Sequence, residues 1–252
     1  MNHRRPPSLP NQLSDLFLVE LTSYRWAWRS MVITGMVAPL TFVVAMGIFA
    51  RDSGPEALSY VLVGNIVLSL MFETLNRLAS HFAYIRFAGT LDYFATLPIH
   101  RLSLILAAVL AFLLLSLPAL AVTILGGALL LRVPIHPHPL LLLVIPLAAM
   151  PLAGFGALIG TSARTPEEAG SLSTLFTLLL LALGPVLIPP GRLPPLLATL
   201  GWFSPATYAA SALRQVLIGP LTGRVLLDLL VLSGFTLLAF WLVAHKMDWR
   251  QT

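Results

Sequence analysis

Six long, nearly charge-free apolar stretches dominate this chain, at residues 31–50, 57–78, 102–131, 140–160, 170–189 and 225–244. At 1.5 Å rise per residue, each is long enough as a helix to cross the roughly 30 Å hydrocarbon core of a bilayer. The third runs without a charge between Arg101 and Arg132, so it must tilt, kink at Pro118 or begin among the headgroups. An open sheet edge in lipid leaves backbone groups unpaired, and none of the stretches shows the alternation a barrel strand needs. The sequence therefore predicts an all-α membrane protein with six transmembrane helices, forming one domain over residues 1–252. Only 10% of the residues are charged, against about 25% in a soluble domain, which excludes a water-soluble fold.

Positive charge stays on cytoplasmic flanks during insertion. With the N-terminus inside, Arg4, Arg5, Arg25, Arg29, Arg77, Arg86, Arg101, Arg164, Lys246 and Arg250 fall in the cytoplasm, and Arg51, Arg132, Arg192, Arg214 and Arg224 fall outside. This asymmetry predicts that both termini are cytoplasmic. The basic N-terminal residues lead into an acidic and polar segment, so no cleavable signal peptide is expected. The net charge of +5 is then a topology signal, with attraction to anionic membrane lipid as a secondary effect. No basic patch is interleaved with stacking aromatics, so nucleic acid is not an expected partner. Cysteine is absent, which excludes disulfides and thiolate chemistry.

Four pieces lie outside the predicted spans. Residues 11–29 carry Leu13, Leu16, Phe17, Leu21, Tyr24 and Trp28 at helical spacing. They suit a helix lying in the cytoplasmic interface, or an amphipathic lead-in to the first span. Residues 88–101 hold a short apolar run, Leu91 to Leu97, bounded by Gly89 and Pro98. This is too short to span and reads as a small docking helix, or as a connector resting on the bilayer. Thr165, followed by Pro166, Glu167 and Glu168, has the composition of a helix start. Residues 190–220 are apolar yet punctuated by Ser204-Pro205 and Gly219-Pro220. Two short helices are expected there, at 194–201 and 205–218, the second only about 21 Å long. They dip into the outer leaflet and return, which requires protein or a water-filled cavity to cover them.

Chemistry-bearing residues are few. A P-loop needs Gly-Lys-Ser/Thr to cradle phosphates, and the chain's only lysine is Lys246, between His245 and Met247. Neither Gly-x-Ser-x-Gly nor His-Glu-x-x-His occurs, so no enzyme is expected and any energy must come from another polypeptide. His136 and His138 alone make an incomplete zinc site, and no metal is expected. Glu73 and Arg77, like Arg224 and Asp228, are four apart and read as helix-surface ion pairs near the two membrane interfaces. Asn65, nearer mid-membrane, is either a hydrogen bond between helices or a substrate contact.

Two local patterns resemble one family. Gly89, Thr90, Leu91 and Asp92, then an apolar stretch with Pro98 and Arg101, form the first. Gly154 and Gly160, Glu167, Glu168 and Ala169, then Leu193-Pro194-Pro195 and Ser204-Pro205-Ala206-Thr207-Tyr208 up to Arg214, form the second. Together with the order of spans, they are similar to type-2 permeases of ATP-binding-cassette exporters, the group that includes bacterial drug-efflux and polysaccharide-export permeases. Phe87 or Ala88 stands where many members carry an acidic residue.

The resemblance implies a bacterial or archaeal plasma-membrane dimer of six-span permeases, driven by two cytoplasmic ATPase subunits. ATP and Mg would be bound by those partners and no cofactor by this chain; whether the second permease is another copy or a paralogue stays open. Under this reading the 88–101 segment couples ATPase to membrane. Leu91, Phe94 and Ala95 would enter a partner's groove, with Gly89, Thr90 and Pro98 bounding the helix and Arg86, Asp92 and Arg101 orienting it. Phe42, Met46, Asn65, Met71, Phe176 and Leu180 are candidates for a substrate path from spans one, two and five, or for ordinary helix packing. Pro205, Tyr208 and Arg214 are candidates for an outer gate. The expected cargo is amphipathic, drug-like or lipid-like, moved by alternating access. The competing class is an ATP-independent secondary transporter or a structural assembly subunit, although no repeat relates the first three spans to the last three.

Overall fold

The computed structural model describes residues 9–97 and 99–246. They are 84% helical and contain no strand. The helices are α1 (Leu9–Ser23), α2 (Trp28–Ala50), α3 (Pro55–Leu70), α4 (Arg77–Phe87), α5 (Thr90–Thr96), α6 (Arg101–Leu131), α7 (Leu141–Ser162), α8 (Pro166–Ala182), α9 (Pro195–Leu200), α10 (Pro205–Leu217) and α11 (Arg224–Lys246). A six-residue π-helix, Met71–Asn76, joins α3 to α4, so the second span is one run, Pro55–Phe87.

Five helical runs are long and apolar enough to cross a membrane: Trp28–Ser53, Pro55–Phe87, Leu102–Leu131, Leu141–Ser162 and Arg224–Lys246. The predicted stretch 170–189 behaves differently. Its helix starts earlier, because Thr165 Oγ1 accepts from Glu168 N at 3.2 Å and Glu168 Oε2 accepts from Arg164 N at 2.8 Å. It also ends earlier, at Ala182, and is only 17 residues long. Pro185 cannot continue a helix, and Gly184 has φ +91°. A Cβ on Gly184 would collide with Thr207 and Gly201, so glycine is required both by conformation and by close approach. The first non-spanning helix is also shorter than expected: α1 ends at Ser23, a turn occupies 24–27, and Trp28 and Arg29 belong to α2.

The second span is the centre of the bundle, with 89% of its most apolar window buried, against 22% for α2 and for α11. It touches α2, α6, α7, α8 and α10, so its side chains make the core while the outer faces of α2 and α11 are left for lipid or another subunit. Glycines set the closest crossing. A Cβ at Gly156 would strike the backbone of Leu75, one at Gly160 the backbone of Ala79, and one at Gly154 the Ala239 side chain. Small residues four apart let two membrane helices meet backbone to backbone, and α7 therefore lies between the second span and α11. Pro118 sits inside α6 without ending it.

Helix α10 packs on α3, α7 and α11 and is buried along nearly its whole length. His136 N and His138 N donate to the Leu217 and Val216 carbonyls at 2.7 and 2.8 Å. These carbonyls at the end of α10 would otherwise lack partners, so the 133–140 loop is tied to it.

Candidate functional site

The segment between the second and third spans begins where α4 ends. Gly89 takes φ +70°, a left-handed turn that directs the chain into the seven-residue α5. Arg86 Nη1 donates to the Thr161 and Ala163 carbonyls at 2.6 and 3.2 Å, which fastens this corner to the end of α7. On the inner side of α5, Leu91 is 4% exposed and packs with Leu16, Phe82, Ile85 and Leu104; half-buried Phe94 packs against the same cluster. Gln12 Oε1 accepts from His100 N at 3.1 Å, joining α1 to the segment's far end.

Leu91 and Phe94, expected to enter a partner's groove, thus pack within the chain, Leu91 buried and Phe94 half-buried. Phe87 and Tyr93 are turned outward, 68% and 64% exposed. Thr90 starts the helix and is half-buried. Pro98 and the side chains of Asp92, Ala95 and Arg101 lie outside the described residues.

Next to the segment, two buried polar networks hold this end of the bundle. Glu73 lies in the π-helix and receives Arg77 Nη2 at 2.9 Å, while the same nitrogen donates to the Met31 carbonyl at 2.8 Å. Gly35 makes room for the Glu73 carboxylate, which a Cβ there would strike. One turn on, His81 bridges α1 to α4: Nδ1 is 3.0 Å from the Tyr24 hydroxyl and Nε2 is 3.2 Å from Glu20 Oε1. Burial and the neighbouring Glu20 carboxylate push the Tyr24 hydroxyl up to about 12. The Glu20 carboxylate can only accept, so with His81 neutral its Nε2–H donates to Glu20 and its Nδ1 accepts from the Tyr24 hydroxyl. Phe112 meets both rings edge-on, at 5.1 and 5.3 Å.

Neither network was predicted as such from the sequence. The spacing of Glu73 and Arg77 gave their pair, but Glu20 and His81 are 61 positions apart and no local pattern links them. A π-helix also carries no simple sequence signature, although such insertions are frequent at functional sites.

Of the six candidates for a substrate path, Met71 and Leu180 are buried in the main core, with Met46 and Phe176 packed partly against it. Asn65 is fully buried, its Nδ2 donating to the Val61 carbonyl at 2.7 Å and its Oδ1 without a partner. Phe42 stands apart, on the exposed face of α2.

The outer candidates do converge. Pro205 starts α10, and the Tyr208 hydroxyl donates to the Trp202 carbonyl at 2.9 Å. The Arg214 guanidinium lies 3.5 Å over the Tyr60 ring with Nε and Nη2 lacking acceptors. Beside it, Gln215 donates to Asp228 at 3.1 Å and accepts from Thr222 N and Oγ1 at 3.2 and 2.6 Å. Arg224 is a looser neighbour of Asp228, at 3.9 Å.

These features define a multi-pass, all-helical membrane protein with polar anchors at both ends of an apolar bundle. The family profile described as ABC-2 type transporter matches residues 16–218, from within α1 to just past α10. The chain belongs to that family. It is thus a transmembrane permease of the ABC type rather than an enzyme. No curated protein matches it.

Proposed function

We propose that this chain is the permease subunit of an ATP-driven exporter, moving an amphipathic, drug-like or lipid-like compound outward by alternating access. Cytoplasmic nucleotide-binding subunits supply the energy, and a second permease, identical or paralogous, completes the pore. The observation that carries this reading is α5. It is joined directly to the second and third spans, its inner face is packed on the bundle core, and Tyr93 projects from its outer side, with Phe87 exposed at the end of α4. Movement of a subunit docked on those aromatics reaches the helix that centres the bundle. In the six-span arrangement α8 is the fifth crossing; it covers about 26 Å, and the non-helical residues 183–188 complete the remaining depth. Both termini are cytoplasmic, with α5 on the same side, and residues 190–220 form the outer re-entrant region.

Two measurements test this. The purified chain has no Gly-Lys-Ser/Thr motif and is expected to hydrolyse no ATP alone, but to co-purify in mild detergent with a subunit that does; purification without any such subunit counts against the exporter. A reporter fused after Thr252 is expected to be active only when the reporter works in the cytoplasm. Activity confined to an external-compartment reporter overturns the orientation.

A further inference from the structure

A cleft of about 490 Å³ opens between the α1–α2 turn and the lower half of the second span. Ser30, Thr34, Arg77, Ser80, His81 and Tyr84 line it, an unusual density of polar groups for a chain that is 58% hydrophobic. Polar side chains within spans are costly and mark sites of function. The wall carries no carboxylate: Glu20 and Glu73 lie behind it, buried and bonded to His81 and Arg77. What the wall offers is hydroxyls, which donate as well as accept, and one guanidinium. The Ser80 and Tyr84 hydroxyls have no partner among the described residues, and Arg77 Nη1 and Asn76 Nδ2 lie buried without acceptors. An unmade bond to a buried donor is costly, and an acceptor oxygen in the cleft would complete the donors left unpaired.

The surroundings place the cleft among headgroups. Trp26, 85% exposed, lies in the turn and Trp28 follows it, with Arg25 4.9 Å over the first ring and Arg29 5.6 Å over the second. Tryptophan collars sit at the membrane–water boundary, and exposed arginines there attract anionic lipid. Arg25, Arg29 and Arg77 outnumber Glu20 and Glu73, so the local charge is positive even with His81 neutral.

We propose that this cleft binds the phosphate oxygens of an anionic phospholipid, with the lipid wedged between the α1–α2 turn and α4. The site exists in the permease alone; only the assignment to the cytoplasmic leaflet rests on the orientation proposed above. Native mass spectrometry of the purified chain, offered phosphatidylglycerol or diacylglycerol with the same tails, tests it. Retention of phosphatidylglycerol is expected to exceed that of diacylglycerol about tenfold.

Two variants report on the site. Ser80→Phe fills the cleft from an exposed position, and Glu73→Gln with Arg77→Gln removes the guanidinium from the wall without leaving either ion unpaired and without changing the net charge. Both are expected to bring retention near parity while helicity and association with the ATPase subunit persist. Equal retention of the two lipids by the parent, or a preference undiminished in Ser80→Phe, overturns the site. Displacement of the lipid by the same concentration of inorganic phosphate reduces it to a free-anion site and overturns the lipid assignment. Loss of ATPase association with lipid preference intact would instead count against the exporter reading.

Discussion

Gly156→Val and Gly160→Val are each expected to destabilise the bundle by about 3 kcal/mol or more, at or beyond the upper end of ordinary overpacking. The reason is what the added carbons meet. At both positions the obstacle is the backbone of the second span, at Leu75 and at Ala79, and no rotamer change can move it. That span is enclosed by five other helices, so it cannot retreat as a whole. Gly170→Ala is the matched control: it lies in α8 with nothing within 4 Å of its Cβ position, and it should stay within about 0.5 kcal/mol of the parent. Thermal unfolding in detergent measures all three. Valine variants as stable as Gly170→Ala would mean that α7 and the second span do not meet at this crossing.

The spans were legible because their signal is compositional: long charge-free runs need no partner to be recognised. Their ends were less so. Span two continues to Phe87 through Arg77 and Arg86 because both guanidiniums find acceptors inside the bundle, a compensation invisible in a hydropathy count. The α8 start was readable from Thr165 and Glu168, since capping is local. Its early end needed the contact of Gly184 with Gly201 and Thr207, which is not.

Site residues divide along the same line. The coupling segment was visible as a short amphipathic run, but seven residues make barely two turns, and their periodicity does not say which side faces the protein. Leu91 looked like an anchor for a partner because it is apolar; it is an anchor for the chain's own core. The Glu20–His81–Tyr24 bridge joins residues with nearly sixty positions between them, and only folding brings them into register. Arg214, singled out as part of a motif, has a physical role in the fold as a cation held over Tyr60.

Because the α4–α5 corner has an outer and an inner side, substitutions on them should separate docking from folding. Under the exporter reading, Phe87→Ala with Tyr93→Ala is expected to weaken binding of the ATPase subunit by more than about 1.4 kcal/mol, or tenfold, since exposed aromatics at the centre of an interface carry much of its energy. Neither side chain is needed for the bundle, so all spans should insert and thermal stability should stay near the parent's. Leu91→Asp acts on the other face. It places a charge among Leu16, Phe82 and Leu104, and a buried unpaired carboxylate costs several kcal/mol unless the segment opens to water. The expected result is proteolytic exposure of residues 88–101 together with loss of transport, whether or not the ATPase subunit still binds the remainder. If the double alanine variant associates and transports like the parent, the α4–α5 corner does not carry force through its outer side. If Leu91→Asp leaves the segment protected, its inner face is not packed in the bundle.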